Sequence, residues 1–355
     1  MNDLHLNPKV FDGTPLADIE QIYIRKGFGE GLLKAGERDS SVVGLCADLT
    51  ESTQMLAFKQ KFPERFVEMG VAEQNLASVA SGMAASGKLP FITSYAMFSP
   101  GRNWEQIRTT ICYNDRKVII AGSHAGVSVG PDGGTHQALE DIAITRVIPN
   151  IVVIVPCDTI EARKATLAVA LAAKDGGTDA PVYLRLAREK SPVITTEDTP
   201  FEIGKAQIFF EPKIQSKDAD SGKPNAIPYD LGIVASGALV YKAIKAAQAL
   251  EKEGIAVKVL NLATIKPIDV DALVKLSDET GALVTVEEHQ VHGGVGSAVV
   301  ECLAANASRP PVVEFVGAQD RFGQSGLPEE VIEHYGMGEG HIIEAAKKAL
   351  GRKNA

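Results

Sequence analysis

The sequence predicts an α/β protein of two domains, each a mainly parallel sheet flanked by helices. Three observations carry that reading. Short β-branched runs alternate with longer amphipathic segments, the runs are continuously apolar, and 355 residues suffice for two domains of ordinary size. A strand that is apolar on both faces must be covered on both, which is the habit of a parallel sheet between helix layers. In chain order the strand-like runs are Val42–Cys46, Phe66–Met69, Pro90–Thr93, Lys117–Ala121, Ile151–Val155 and Pro181–Leu186. Phe201–Phe210, Leu231–Ala235, Val257–Leu260, Ala282–Val286 and Val312–Val316 follow. Helical periodicity is read at Ile19–Lys34, Glu73–Ser86, Asn103–Asn114, Ile160–Ala173, Leu239–Glu253 and Val295–Ala304. Asp158, between a strand and a helix, is expected to cap that helix. The first domain is expected over residues 1–190 and the second over 202–355. A polar, proline-bounded linker (191–201) joins them, and a Lys-, Asp-, Pro- and Gly-rich stretch (211–228) reads as an exposed connection.

Composition narrows the function. Hydrophobic residues make up 45% and charged residues 23% of the chain, the balance of an ordinary globular protein. With 36 basic and 45 acidic residues the net charge is −9, which disfavours a phosphate-backbone binder. No apolar run is long enough to span a bilayer, and the first residues lack the apolar core of a signal peptide. The four cysteines are scattered without metal-ligand spacing. Buried thiols in a cytoplasmic protein are the expectation.

Most candidate chemistry lies at strand ends. His124, Asp132 and His136 sit in the glycine-rich segment Gly122–Gln137, after the run Lys117–Ala121. In open α/β sheets ligands collect at the carboxyl ends of strands, and glycines let the backbone approach a ligand closely. Two imidazoles and a carboxylate there suit a hydroxylated substrate; a structural turn with capping side chains is the alternative. Glu73 opens a helix, where an acidic residue is ordinarily a dipole partner. Tyr95 and Phe98, three apart after a strand, would by themselves be core. The segment Glu287–Ser297 holds His289, His292 and a Gly-Gly-x-Gly before a helix, a possible anion site without the spacing of a dinucleotide fingerprint.

Ten segments, taken in order, resemble the C-terminal half of transketolase over essentially the whole chain. They are Tyr23-Ile-Arg-Lys26, Cys46-Ala-Asp-Leu-Thr-Glu-Ser52, Met69-Gly-Val-Ala-Glu-Gln74, Pro90-Phe-Ile-Thr-Ser-Tyr-Ala-Met-Phe98 and Ser123-His-Ala-Gly126. Gly130-Pro-Asp-Gly-Gly-Thr-His-Gln137, Val155-Pro-Cys-Asp158, Leu186-Ala-Arg188, Thr264-Ile-Lys-Pro267 and Glu287-Glu-His289 complete the set. The resemblance implies a pyrimidine-binding domain for thiamine diphosphate followed by the transketolase C-terminal domain. The family's Gly-Asp-Gly…Asn signature, which holds Mg²⁺ or Ca²⁺ and the cofactor's phosphates, does not occur in this sequence. A split transketolase is therefore implied, with this chain as small subunit and a diphosphate-binding partner in an A₂B₂ assembly.

Residue roles follow from the same resemblance. Activation of the cofactor requires a carboxyl group that protonates N1′ of its aminopyrimidine in a water-poor pocket, and the matching residue is Glu73. Tyr95 and Phe98 match the aromatic wall for the pyrimidine, and Asp48 an acid near the cofactor at the subunit contact. His124 and His136 match residues that move protons during C2–C3 cleavage, and Asp132 the one that recognises the aldose α-hydroxyl. Arg25, Ser52 and Arg188 match sugar-phosphate binders; a guanidinium fork suits phosphate. No catalytic role is implied for His289. The implied activity is ketol transfer between sugar phosphates of the pentose phosphate pathway. Three other readings compete: 1-deoxyxylulose-5-phosphate synthase, a 2-oxo-acid dehydrogenase β subunit, and a non-catalytic scaffold. The synthase generally has Arg in place of His124, the β subunits lack the Asp-Gly-x-Thr-His loop, and a scaffold has no need of Glu73 with both histidines.

Overall fold

The computed structural model describes residues 5–216, 219 and 227–355. Part of the expected exposed connection (211–228) therefore lies outside the described residues. Two parallel sheets form the frame. The seven-stranded sheet runs in the order Thr264–Lys266, Val152–Ile154, Val182–Ala187, Ile119–Ala125, Leu89–Tyr95, Val42–Cys46, Phe66–Glu68. The five-stranded sheet runs Val312–Ala318, Ala282–Gln290, Leu231–Ala235, Val257–Asn261, Gln207–Phe210. Neighbours are parallel except at one edge of each, where Thr264–Lys266 and Gln207–Phe210 pair antiparallel. Four strands are buried throughout: every residue of Val42–Cys46, Ile119–Ala125, Leu231–Ala235 and Val257–Asn261 is inside, whereas the edge strands Phe66–Glu68 and Val312–Ala318 are partly exposed.

Several boundaries differ from the periodicity, each for a local reason. The helix expected at Ile19–Lys34 begins at Ile24, because Gln21–Tyr23 is claimed by antiparallel pairing with Lys190–Pro192. Asn103–Asn114 becomes a short helix, Trp104–Gln106, that widens into a π-type turn over Ile107–Cys112. Of Phe201–Phe210 only Gln207–Phe210 is strand. The run expected at Lys117–Ala121 extends to Ala125, so His124 is on the strand itself. Lys117 and Val118 stay outside the ladder, which begins where Ile119 meets Phe91 and Val182.

Close helix packing explains two glycines. Helix Ile24–Arg38 crosses helix Thr159–Ala170 so tightly that a Cβ on Gly27 would lie 1.9 Å from the Thr159 carbonyl oxygen, and one on Gly31 2.6 Å from Thr166 Cβ. Asp158 caps the second helix as expected, its carboxylate accepting from the Glu161 N–H at 2.8 Å. Fully buried, it also accepts the Ile194 N–H at 2.8 Å, the Thr195 N–H at 2.6 Å and the Thr195 hydroxyl at 2.8 Å. The segment after residue 190 is thus tied to the first sheet's helix layer. Asp158→Ala strands these donors and is expected to cost on the order of 3 kcal/mol. A urea-unfolding midpoint equal to wild type would contradict this.

The two sheets share a buried ion network. Arg185 donates to Asp141 at 2.7 and 3.2 Å and to the Glu288 carbonyl at 2.8 Å, while the Tyr183 hydroxyl donates to Asp141 at 2.6 Å. Paired in this way, Arg185 and Asp141 are kept charged although their side chains are only 6% and 1% exposed. The Arg185 guanidinium holds the Asp141 carboxyl below its ordinary range against the opposing pull of burial. His289 is fully buried beside the network, its Nε2 3.4 Å from the Ala143 N–H, and burial pushes its pKa down to about 4. The Gly-Gly-x-Gly turn does hold a carboxyl group, an internal one: Glu287 accepts the Val295 and Gly296 N–H groups at 2.6 and 2.8 Å, and burial raises its pKa to about 7. All four cysteines are buried and free. Among the described residues no helix is long and apolar enough to cross a membrane.

Candidate active site

The carboxyl ends of Leu89–Tyr95 and Ile119–Ala125 place two aromatic residues and two imidazoles together. Tyr95 and Phe98 lie nearly parallel, ring centroids 6.2 Å apart at 18°. His124 stacks on Tyr95 at 3.9 Å, and His136 approaches Phe98 edge-on at 5.4 Å. His124 has φ +58°, a strained backbone for a non-glycine residue, held where the strand runs out. Its Nδ1 is 2.8 Å from the Ser123 hydroxyl.

Glu73 enters from the side. It is the first residue of helix Glu73–Ala85 and is 1% exposed. Arg102 donates to its Oε2 at 2.6 Å, and the Ser94 hydroxyl is 3.4 Å from Oε1. Asn103 fixes the backbone by donating to the Glu73 carbonyl at 3.0 Å and to Ser99 Oγ at 3.2 Å. The Arg102 guanidinium also lies over the Phe98 ring, 4.8 Å from its centroid. A buried carboxyl group joined through Arg102 to an aromatic face is a set of groups that fits a protonatable heteroaromatic ring.

Cationic groups border the same space. Arg25 donates to the Ser52 carbonyl at 3.0 Å and to the Arg188 carbonyl, and Arg188 donates to the Val129 carbonyl. Arg25, Ser52 and Arg188 are therefore one connected set. Asp132 ends the helical turn Val127–Asp132 and is exposed. Asp48 is exposed as well, with φ +58° and its N–H bonded to Glu68 at 2.7 Å. The structure thus gathers Tyr95, Phe98, His124 and His136 into one cluster, with Glu73 reached through Arg102. Among the described residues, neither Asp48 nor Asp132 has a hydrogen bond, ion pair or ring contact to this cluster.

The transketolase pyrimidine-binding domain family matches residues 20–193, and the transketolase C-terminal domain family matches residues 228–342. A putative transketolase C-terminal section from Methanocaldococcus jannaschii is 39% identical, the match spanning 92% of this chain and 96% of that one. The chain belongs to the transketolase family. A 6-deoxy-6-sulfo-D-fructose transketolase subunit of a Clostridium species is 36% identical over 95% of this chain and 97% of its own. A solved structure described as a split-gene transketolase, an inactive β4 tetramer, superposes with TM-score 0.80 at 40% identity. It covers 94% of this chain, which covers 99% of it.

The charge of His124 is set by its surroundings. Burial, then the neighbouring Arg25 and Arg188 and finally His136, push its pKa down to about 3. The imidazole is therefore neutral at neutral pH, with one ring nitrogen free to accept a hydrogen bond. Because the folded pKa is lowered from 6.5, the unfolded chain binds this proton more readily, and the residue's share of stability is lost as pH falls from about 6.5 toward 3. Nitrogen-15 NMR of the ring should show it neutral at pH 5; titration near the ordinary value would contradict the burial argument. Among the described residues no group of three or more His, Cys, Asp or Glu is placed to hold a metal ion.

Arg102 and Asn103 had no signal in the sequence that set them apart, since their partner Glu73 is some thirty residues away. Gln137 ends the segment Gly130–Gln137, and no local pattern in the sequence sets it apart.

Proposed function

We propose that this chain is the small subunit of a split, thiamine-diphosphate-dependent transketolase. It would move a two-carbon ketol unit from a ketose phosphate to an aldose phosphate, as in the non-oxidative pentose phosphate pathway. The observation that carries the reading is the Tyr95–Phe98 aromatic pair with two imidazoles on the same wall, joined to the buried Glu73 by Arg102, which bonds Glu73 and lies over the Phe98 ring. When bound, the cofactor supplies the nucleophilic carbon that takes up the ketol unit. Glu73 would hold a proton at the pyrimidine nitrogen, and Tyr95 and Phe98 would stack on the ring. His124, neutral, would accept a substrate hydroxyl proton, and His136 would work across from it. Arg25 and Arg188, with Ser52, would bind the substrate's terminal anion, and Asp132 the acceptor's C2 hydroxyl. Asp48 would face the cofactor across the subunit contact. A partner subunit would hold the diphosphate and its Mg²⁺ or Ca²⁺ in a cytoplasmic A₂B₂ assembly. The pairing of His124 with Asp132 supports transketolase over deoxyxylulose phosphate synthase and the dehydrogenase β subunits. Retention of Glu73 with both histidines supports an enzyme over a scaffold.

The test is reconstitution. The purified chain with thiamine diphosphate and Mg²⁺ is expected to show no ketol transfer, and addition of a diphosphate-binding subunit is expected to restore it. Robust transfer by the chain alone would contradict the split site.

A further inference from the structure

The loop that carries Asp132 and His136 is held by the second domain. Gln137 is 2% exposed. Its amide donates to Val127 O at 2.9 Å and Gly130 O at 3.4 Å within the loop, and to Gln324 O at 3.0 Å across the domain contact. The facing segment has no room for a side chain. A Cβ on Gly323 would lie 1.8 Å from Gln137 Oε1, and one on Gly134 would lie 2.6 Å from the Gly323 carbonyl oxygen. A second hold lies beneath, where the buried Glu288 carboxylate of strand Ala282–Gln290 accepts the Ser128 N–H at 2.5 Å. We infer that Gln137 and Gly323 form a clasp through which the second domain sets the positions of Asp132 and His136. Gln137 is then a positioning residue, and setting the acceptor loop is a role for the second domain.

The inference rests on the proposed transketolase reading for what the loop contacts, but the clasp itself is geometric. Without it, a glycine-rich loop samples many conformations, and displacement of a contacting group by about an ångström is costly to rate. Gly323→Ala forces the Gln137 amide aside and so breaks the same three bonds that Gln137→Ala removes. The two effects should not multiply.

Two measurements on Gln137→Ala, Gly323→Ala and the double variant test this. Hydrogen–deuterium exchange on the full chain should show faster exchange over residues 127–137 in each variant, and no further increase in the double variant. In the reconstituted complex, acceptor KM should rise between about ten- and a hundredfold in each, with cofactor affinity changed less than about twofold and the double variant no worse than Gln137→Ala. Exchange equal to wild type over 127–137 would overturn the clasp, whatever the activity. Multiplying effects, or a cofactor affinity that falls as far as acceptor binding, would overturn the positioning role. A wild-type complex without ketol transfer would instead sink the functional reading while the exchange result still judges the clasp.

Discussion

Glu73→Gln is expected to keep the fold and lose at least about a thousandfold of ketol-transfer kcat, the upper range for a general acid–base group. The amide has the size of the carboxyl, so the site at the start of helix Glu73–Ala85 stays filled. Ser94 at 3.4 Å can still meet a side-chain oxygen there. Arg102, whose side chain is 48% exposed, can turn its guanidinium to water and leaves no buried charge unpaired. What the amide lacks is the acid–base capacity that, on the proposed reading, holds a proton at the pyrimidine nitrogen. The fold is checked by circular dichroism and the melting temperature, the loss by steady-state kinetics of the reconstituted complex. A loss under tenfold would show that Glu73 is a helix-start residue and nothing more.

The second large effect is a contrast between two acceptors. Asp132→Ala should lower kcat/KM for ribose 5-phosphate far more than for its 2-deoxy analogue. A hydrogen bond to a charged group is worth about 1.5–3 kcal/mol, or roughly ten- to a hundredfold in rate. Asp132 is exposed in the isolated chain, so the full penalty requires that acceptor and partner subunit shut water out around it. Arg188→Ala should penalise both phosphorylated acceptors equally, because its proposed role is to bind the phosphate at the other end of the sugar. If Asp132→Ala slows both acceptors alike, the carboxylate is placing the loop rather than reading the hydroxyl.

What could be read from the sequence divides along physical lines. Buried parallel strands announce themselves because both faces must be apolar, and Val42–Cys46 and Leu231–Ala235 were legible to the residue. The strand Thr264–Lys266 was not legible as one. Three residues have no periodicity, and their pairing to Ile154 and Val153 crosses from one half of the chain to the other. Gln21–Tyr23 was absorbed into a helical pattern because its partner strand lies near residue 190. In the site, His124, His136 and Asp132 were visible as chemistry concentrated at a strand end. Glu73 was invisible without the family resemblance, since its burial comes from Arg102, Asn103 and Ser94, all distant in sequence. The clasp at Gln137 depends on a contact 187 residues away, and no local pattern encodes that. Helix starts told half the story at Gly293–Gly296: a carboxyl group does sit there, but it is the protein's own Glu287.

The most direct measurement of the central claim is hydrogen–deuterium exchange at the thiazolium C2 of thiamine diphosphate bound to the reconstituted complex. If this chain supplies the activating carboxyl, wild type exchanges C2 rapidly, and Glu73→Gln slows the exchange by on the order of a thousandfold with the cofactor still bound. Exchange as fast in Glu73→Gln as in wild type would contradict the account.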